Sequence, residues 1–209
     1  YLLGPKINAA GRLGKSDLVV KLFTETEPRA ARKLALLLTS LNEERKLISS
    51  NNLELALKSI SNSSINYDKC VISSGDLHQG VAGIVASKLV EIYGVPTLVF
   101  AETILSDGSA AYIGSARSIC GVNITEMLKI CSKWIDRFGG HEMAAGLTIK
   151  SENFKGFVDN FKGIARNFWG NRQALSKKSY DIECSVEEVM SEECLEFFKL
   201  LSLPDIIPY

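Results

Sequence analysis

Apolar residues follow two rhythms along this chain, and the change comes near residue 67. Before it they recur at helical spacing: Ala31, Leu34, Leu38 and Leu41 form one stripe that Ile48 and Leu55 continue. Pro28 suits a first helical turn. The spacing therefore predicts one helix from Pro28 to about Ser59, on the order of 48 Å long at ~1.5 Å per residue. Its other face carries Arg29, Arg32, Lys33, Glu43, Glu44, Arg45 and Lys46, the make-up of a solvated surface. A short helix from Asp17 to Phe23 precedes it, with Ser16 as N-cap and Asp17 in the first turn. Further upstream, Tyr1 to Gly14 is punctuated by Gly4-Pro5 and Gly11 and reads as a loop, with Asn8 and Arg12 as its polar members. The Ser- and Asn-rich stretch Ser59–Asn66 reads as a loop and a domain boundary.

From Tyr67 short strands alternate with helices. Cys70-Val-Ile-Ser is a buried-type strand, His78 to Tyr93 a helix, and Pro96 to Phe100 a second strand. Asp107-Gly108 marks a hairpin turn. Ala111 to Ser118 is a third strand, Asn123 to Trp134 a helix capped by Asn123, and Leu147–Ile149 a further strand. Glu152 to Phe168 closes the unit as a helix with Phe154, Phe157, Phe161 and Ile164 on one face. Such alternation predicts a layered α/β domain. After Asn171 a polar linker, Gln173–Ser179, leads to Tyr180-Asp-Ile-Glu-Cys-Ser and a helix near Ser191–Leu201.

Composition narrows the function classes. Apolar and charged fractions of 46% and 23% are those of an ordinary globular protein. Basic and acidic residues balance at 24 each, so any polyanion must be held by a local patch rather than by the overall field. No apolar run reaches a membrane span and no signal peptide is visible. Five cysteines, Cys70, Cys120, Cys131, Cys184 and Cys194, include no Cys-x-x-Cys pair; a reducing, cytoplasmic setting is the simpler reading. The chain opens on Tyr1 rather than Met and is read as an excerpt of a longer protein.

One stretch concentrates the chemistry. Tyr-Ile-Gly-Ser-Ala-Arg-Ser-Ile at 112–119 reads as a strand running into an exposed turn that carries Ser115, Arg117 and Ser118. Phe-Gly-Gly-His-Glu-Met-Ala-Ala-Gly at 138–146 reads as a double-glycine turn, Gly139-Gly140, presenting His141. Arginine offers a planar fork for phosphate, and hydroxyls complete such a cradle. Glycines allow positive φ or close approach of a ligand to backbone. His78 opens a helix, and polar cap and nucleic-acid contact are equally good readings of it. Gly80 and Gly83 fit close helix packing better than anion binding.

Together these motifs resemble the DHHA1 domain of the DHH phosphoesterase superfamily, most closely its RecJ single-stranded-DNA exonuclease branch. Gly-Pro-Lys-Ile-Asn-Ala-Ala-Gly-Arg-Leu at 4–13 and His-Gln-Gly-Val-Ala-Gly-Ile-Val-Ala-Ser-Lys-Leu at 78–89 support the resemblance, which spans roughly residues 3–165. It implies the end of a DHH catalytic domain over 1–26, a connector helix and loop over 27–66, a DHHA1 substrate-binding domain over 67–170, and a linker with a partial OB-like domain over 171–209.

The site residues it implies are His141 near the scissile phosphate, and Gly114, Ser115, Arg117, Ser118, Gly139, Gly140, Asn8, Arg12 and His78 in contact with substrate. Its two-metal chemistry, with Mn²⁺ or Mg²⁺, belongs to an upstream domain, because no Asp-His-His occurs here. The implied whole is a monomeric exonuclease that cuts single-stranded DNA 5′ to 3′ in repair and recombination, of which this chain alone is inactive. Alternatives are a DHH–DHHA1 phosphoesterase for short RNA or cyclic dinucleotides, and a non-catalytic replication scaffold. Lys6, Leu77 and the Leu203-Pro-Asp-Ile-Ile-Pro end depart from the family pattern.

Overall fold

The computed structural model describes residues 3–60, 62–169 and 185–201. Helices α1 (Gly4–Arg12) and α2 (Asp17–Thr24) lead into the long α3 (Pro28–Ser59) and the short α4 (Asn62–Asp68). A layered unit follows: β1 (Val71–Gly75), a 3-10 turn over Gln79–Val81, α5 (Ala82–Tyr93), β2 (Thr97–Ile104) and β3 (Ala110–Arg117). Then come α6 (Ile124–Ile130), a 3-10 turn over Ser132–Trp134, β4 (Arg137–Gly140), β5 (Ala144–Lys150) and α7 (Ser151–Trp169). The five strands form one sheet in the order β1-β2-β3-β5-β4, parallel only between β1 and β2. The OB-like start expected after residue 171 falls largely on residues 170–184 and 202–209, outside the described residues. Between them lie α8 (Val186–Val189) and α9 (Glu192–Leu201).

Side-chain alternation gives the sheet two different faces. One carries Leu98, Phe100, Ala116, Leu147 and Ile149 into a core closed by Ile124, Met127 and Leu128 of α6 and Phe157 and Phe161 of α7. Removing either phenylalanine of α7 would cost about 3–5 kcal/mol. The other face is covered over β1 and β2, where Val71, Val99 and Ala101 meet Val85, Ala86 and Leu89 of α5 and Ala56 of α3. The cover stops short of β4 and β5. That uncovered half becomes the site.

Three expectations change. Within the stretch expected as a loop, Gly4–Arg12 is the helix α1: Pro5 sits in its first turn, and Ala9 and Ala10 are fully buried, Ala10 against Leu38 and Leu41. Tertiary burial outweighs the poor helix propensity of Gly4 and Gly11. The segment from Asn62 is the helix α4, held because Ile65 enters the core and Asp68 meets Lys162 at 2.9 Å. The apolar stripe of α3 holds at Leu38 and Leu41, but Leu55 is 51% exposed while Asn42 and Asn52 are buried. The helix thus turns a partly polar seam inward. Its N-cap is Glu27, whose carboxylate accepts from the backbone of Arg29 and Ala30.

The cysteines differ sharply in setting. Burial pushes the Cys70 thiol up to about 12 and that of Cys131 up to about 11, whereas Cys120 is exposed. A raised thiol pKa leaves little thiolate at neutral pH. A maleimide or disulfide reagent at pH 7 is therefore expected to modify Cys120 at least roughly tenfold faster than Cys70 or Cys131. Peptide mass spectrometry reads this, and early labelling of Cys70 would contradict the packing around it.

Candidate nucleic-acid interface

β3 lies between β2 and β5, and its odd-numbered residues face the partly covered side. Ser115 pairs with Val99 and Gly146, and Arg117 pairs with Thr97 and Ala144. Both side chains reach under the first turn of α5: a methyl group on Gly83 would lie 2.8 Å from Arg117 Nη2 and 3.1 Å from Ser115 Oγ. Gly83 is therefore a spacer that admits the guanidinium. Arg117 Nη1 also donates to the Ala116 carbonyl at 2.8 Å.

The second arginine comes from α1. Arg12 Nη1 donates to the Gly80 carbonyl at 3.0 Å, and its positive charge is felt at Arg117. Burial first, and Arg12 second, lower the Arg117 pKa, though an arginine so far above neutrality stays charged. The first turn of a helix is also the wrong place for a cation, since the macrodipole is positive there. Among the described residues neither Arg12 nor Arg117 has an ion-pair partner. Three unfavourable terms thus converge on Arg117, and a bound anion would relieve all of them.

His141 arrives from the other side. β4 and β5 pair through Gly139↔Gly146 and Gly140↔Ala145, and the connection closes with His141 N–H donating to the Ala144 carbonyl at 2.7 Å. The tip is tied to the segment after Arg117: Ser118 N–H donates to the Met143 carbonyl, and Ile124 N–H to the Glu142 carbonyl, each at 2.9 Å. This pins the hairpin tip beside the end of β3 and leaves the His141 imidazole exposed. Asn8 is exposed on α1, four residues before Arg12 and so on the same side of that helix.

Several expected contact residues have other duties. Ser118 is buried and its hydroxyl donates to the Val122 carbonyl, so it shapes the turn rather than facing a ligand. Gly114 looks into the opposite core, where a methyl group would fall 2.3 Å from the Phe100 ring. The Gly139-Gly140 pair is strand, not turn; a methyl group on Gly140 would stand 2.2 Å from the Ala144 carbonyl oxygen, so Gly140 permits the hairpin to close. His78 is a cap: its Nδ1 accepts from the Gly80 backbone N–H at 3.1 Å, and its ring is exposed.

Gly80 itself is a docking point for α1, since a methyl group there would lie 1.9 Å from the Arg12 carbonyl oxygen. Gly80→Ala is expected to cost about 1–3 kcal/mol through this overlap, read as a lower denaturation midpoint. An unchanged midpoint would mean that α1 docks elsewhere.

Arg137, Gly146 and Thr148 went unrecognised in the sequence. With Ile113 and Gly139 they line a shallow groove of about 310 Å³ on the uncovered sheet face. The signal was available in the alternation Arg137-x-Gly139 and Gly146-x-Thr148, once 137–140 is taken as a strand.

Comparison with known proteins finds a family model, relatives and solved structures similar to this chain. A family model for the DHHA1 domain matches residues 66–167. The chain is 32% identical over 196 residues to the single-stranded-DNA-specific exonuclease RecJ of Bacillus subtilis, covering 94% of this chain and 25% of that protein. It is 38% identical over 165 residues to RecJ of Haemophilus influenzae, covering 75% and 28%. The solved structure of RecJ from Thermus thermophilus in complex with Mg²⁺ superposes with a TM-score of 0.69 at 28% identity, over 79% of this chain and 25% of that one. The chain is a RecJ-like portion carrying a DHHA1 domain. It spans about a quarter of the length of those curated relatives.

The same T. thermophilus protein has also been solved with Mn²⁺. Among the described residues of this RecJ-like chain, no three His, Cys, Asp or Glu side chains converge to hold a metal ion. The Arg12–Arg117 cradle repels cations. Nothing described here fits the metal pair. No helix among the described residues is long and apolar enough to cross a membrane.

Proposed function

We propose that this chain is the nucleic-acid-binding portion of a RecJ-like exonuclease that hydrolyses single-stranded DNA 5′ to 3′ in repair and recombination. The observation that carries the reading is the Arg117 guanidinium, without an ion-pair partner among the described residues and held half-buried beside Arg12 and the first turn of α5. A site that holds two cations without a carboxylate is preorganised for a phosphate. Ser115 supplies a hydroxyl beside it, and Asn8 extends the polar side of α1.

In this reading residues 1–26 end a DHH catalytic domain, 27–66 connect it, 67–170 bind substrate, and 171–209 begin an OB-like domain. The upstream domain supplies the ions, Mn²⁺ or Mg²⁺, and the enzyme works as a cytoplasmic monomer. His141 is positioned at the hairpin tip to donate a hydrogen bond to oxygen that gains charge as the phosphodiester breaks. This chain's own part is to bind the strand, orient one phosphate through Arg117, and place His141 beside it.

The test is hydrolysis of end-labelled single-stranded DNA with Mn²⁺ by this chain, by the upstream domain, and by their fusion. The expected result is no cleavage by this chain and cleavage by the fusion. Cleavage by this chain that survives loss of both Arg117 and His141 would place the chemistry elsewhere.

A further inference from the structure

We propose that the uncovered half of the sheet is a second stretch of the same binding site, in which Arg137 takes a phosphate several nucleotides from the one held at Arg117 and the Gly139–Gly146 pair leaves room for the strand between them. This rests on the reading of Arg117 as a phosphate contact and extends it to Arg137 and Gly146, which that reading does not use.

The face is built in rows. Ala101, Ile113, Thr148 and Arg137 stand side by side across β2, β3, β5 and β4; the next row is Val99, Ser115, Gly146 and Gly139; the row after it holds Thr97, Arg117 and Ala144. Gly146 and Gly139 are directly opposed in the ladder and both exposed. An added methyl group at Gly139 meets nothing within 4 Å, and at Gly146 only the Gly114 carbonyl at 4.0 Å. No packing demand explains two glycines here, and glycine is costly in a strand interior. Their effect is a patch of bare backbone in the floor of the groove, where a sugar or a flat base can lie against the peptide planes.

Charge on this face has one sign. The ionisable strand residues pointing to it from β3, β4 and β5 are Arg117, Arg137 and Lys150. Lys150 is already opposed by Asp107 of the β2–β3 turn, and Asp136 is turned to the Lys150 backbone N–H at 2.8 Å. Arg137 is exposed, and its Nε donates to Thr148 Oγ1 at 3.3 Å, which lays the guanidinium along the floor. Among the described residues it has no ion-pair partner. Arg117 and Arg137 stand two strands and four residues apart, on the order of 16 Å. A stacked strand rises ~3.4 Å per nucleotide, so roughly four or five steps separate the two phosphates, and fewer if the strand is extended. A dinucleotide reaches only one of them.

Calorimetric titration of the 209-residue chain with an oligothymidylate dinucleotide and octanucleotide tests this. The octanucleotide is expected to bind more tightly than the dinucleotide. Arg137→Ala and Gly139→Leu each weaken the octanucleotide about tenfold and leave the dinucleotide unchanged, with Arg137→Lys retaining most of the affinity. Arg117→Ala weakens both. Octanucleotide binding at the wild-type level in Arg137→Ala and Gly139→Leu, with Arg117→Ala impaired, overturns the second stretch alone. Wild-type binding in Arg117→Ala overturns the underlying reading, and equal affinity of the wild-type chain for the two lengths overturns the inference as well. If Gly139→Leu lowers the Tm, Arg137→Ala decides.

Discussion

Arg117→Ala is expected to weaken binding of single-stranded DNA by roughly tenfold to a hundredfold, the worth of one charge-assisted bidentate contact. It should also lower the slope of log K against log salt by about 0.7, the counterion release of one phosphate contact on a single strand. The argument is electrostatic. The guanidinium is half-buried, lies in the field of Arg12, and has no carboxylate partner among the described residues. Such a group gains more from a phosphate than an arginine already paired on the surface. Arg117→Ala should leave the fold intact, because the side chain's hydrogen bond is to its neighbour's carbonyl. Titrations at several salt concentrations measure both quantities. An unchanged slope would return Arg117 to the status of a packed surface residue.

In the complete enzyme, His141→Ala should lower kcat by about 10²–10³ while changing DNA affinity by less than about threefold. On the proposed reading Arg117 holds charge present in the ground state. On the same reading His141, on a hairpin tip pinned to Ser118 and Ile124, meets charge that develops later. The two substitutions should therefore separate: Arg117→Ala raising KM, and His141→Ala lowering kcat. Single-turnover cleavage alongside equilibrium binding reads the split. Matched losses in both would make His141 one more binding group.

Much of the layered unit was written locally. Asn123 caps α6 through the backbone of Thr125 and Glu126, Asp107-Gly108 turns the β2–β3 hairpin with Gly108 at φ 82°, and the phenylalanines of α7 recur at helical spacing. Each signal needs only neighbours in the chain, so periodicity and turn chemistry reveal it. Motif order alone also singled out Arg117 and His141 as the residues to test. The residues misread are those whose role depends on the far side of a contact. Ser118 looks like a substrate contact until its hydroxyl meets Val122, and so does Gly114 until Phe100 fills the space beside it.

What the sequence determined by itself was the alternation of elements and the types of chemistry it could mount: guanidinium, imidazole, hydroxyl and bare backbone. Tertiary structure decided their arrangement. Only the docking of α1 on α3 and Gly80 carries Arg12 into the field of Arg117, across 105 residues of chain. Only the strand register sets Gly139 against Gly146 and turns Arg137 to the same face as Arg117. The reason is the period of a strand: a shift of one residue would send each of these side chains into the opposite core, and pairing with β5, not local propensity, fixes that register.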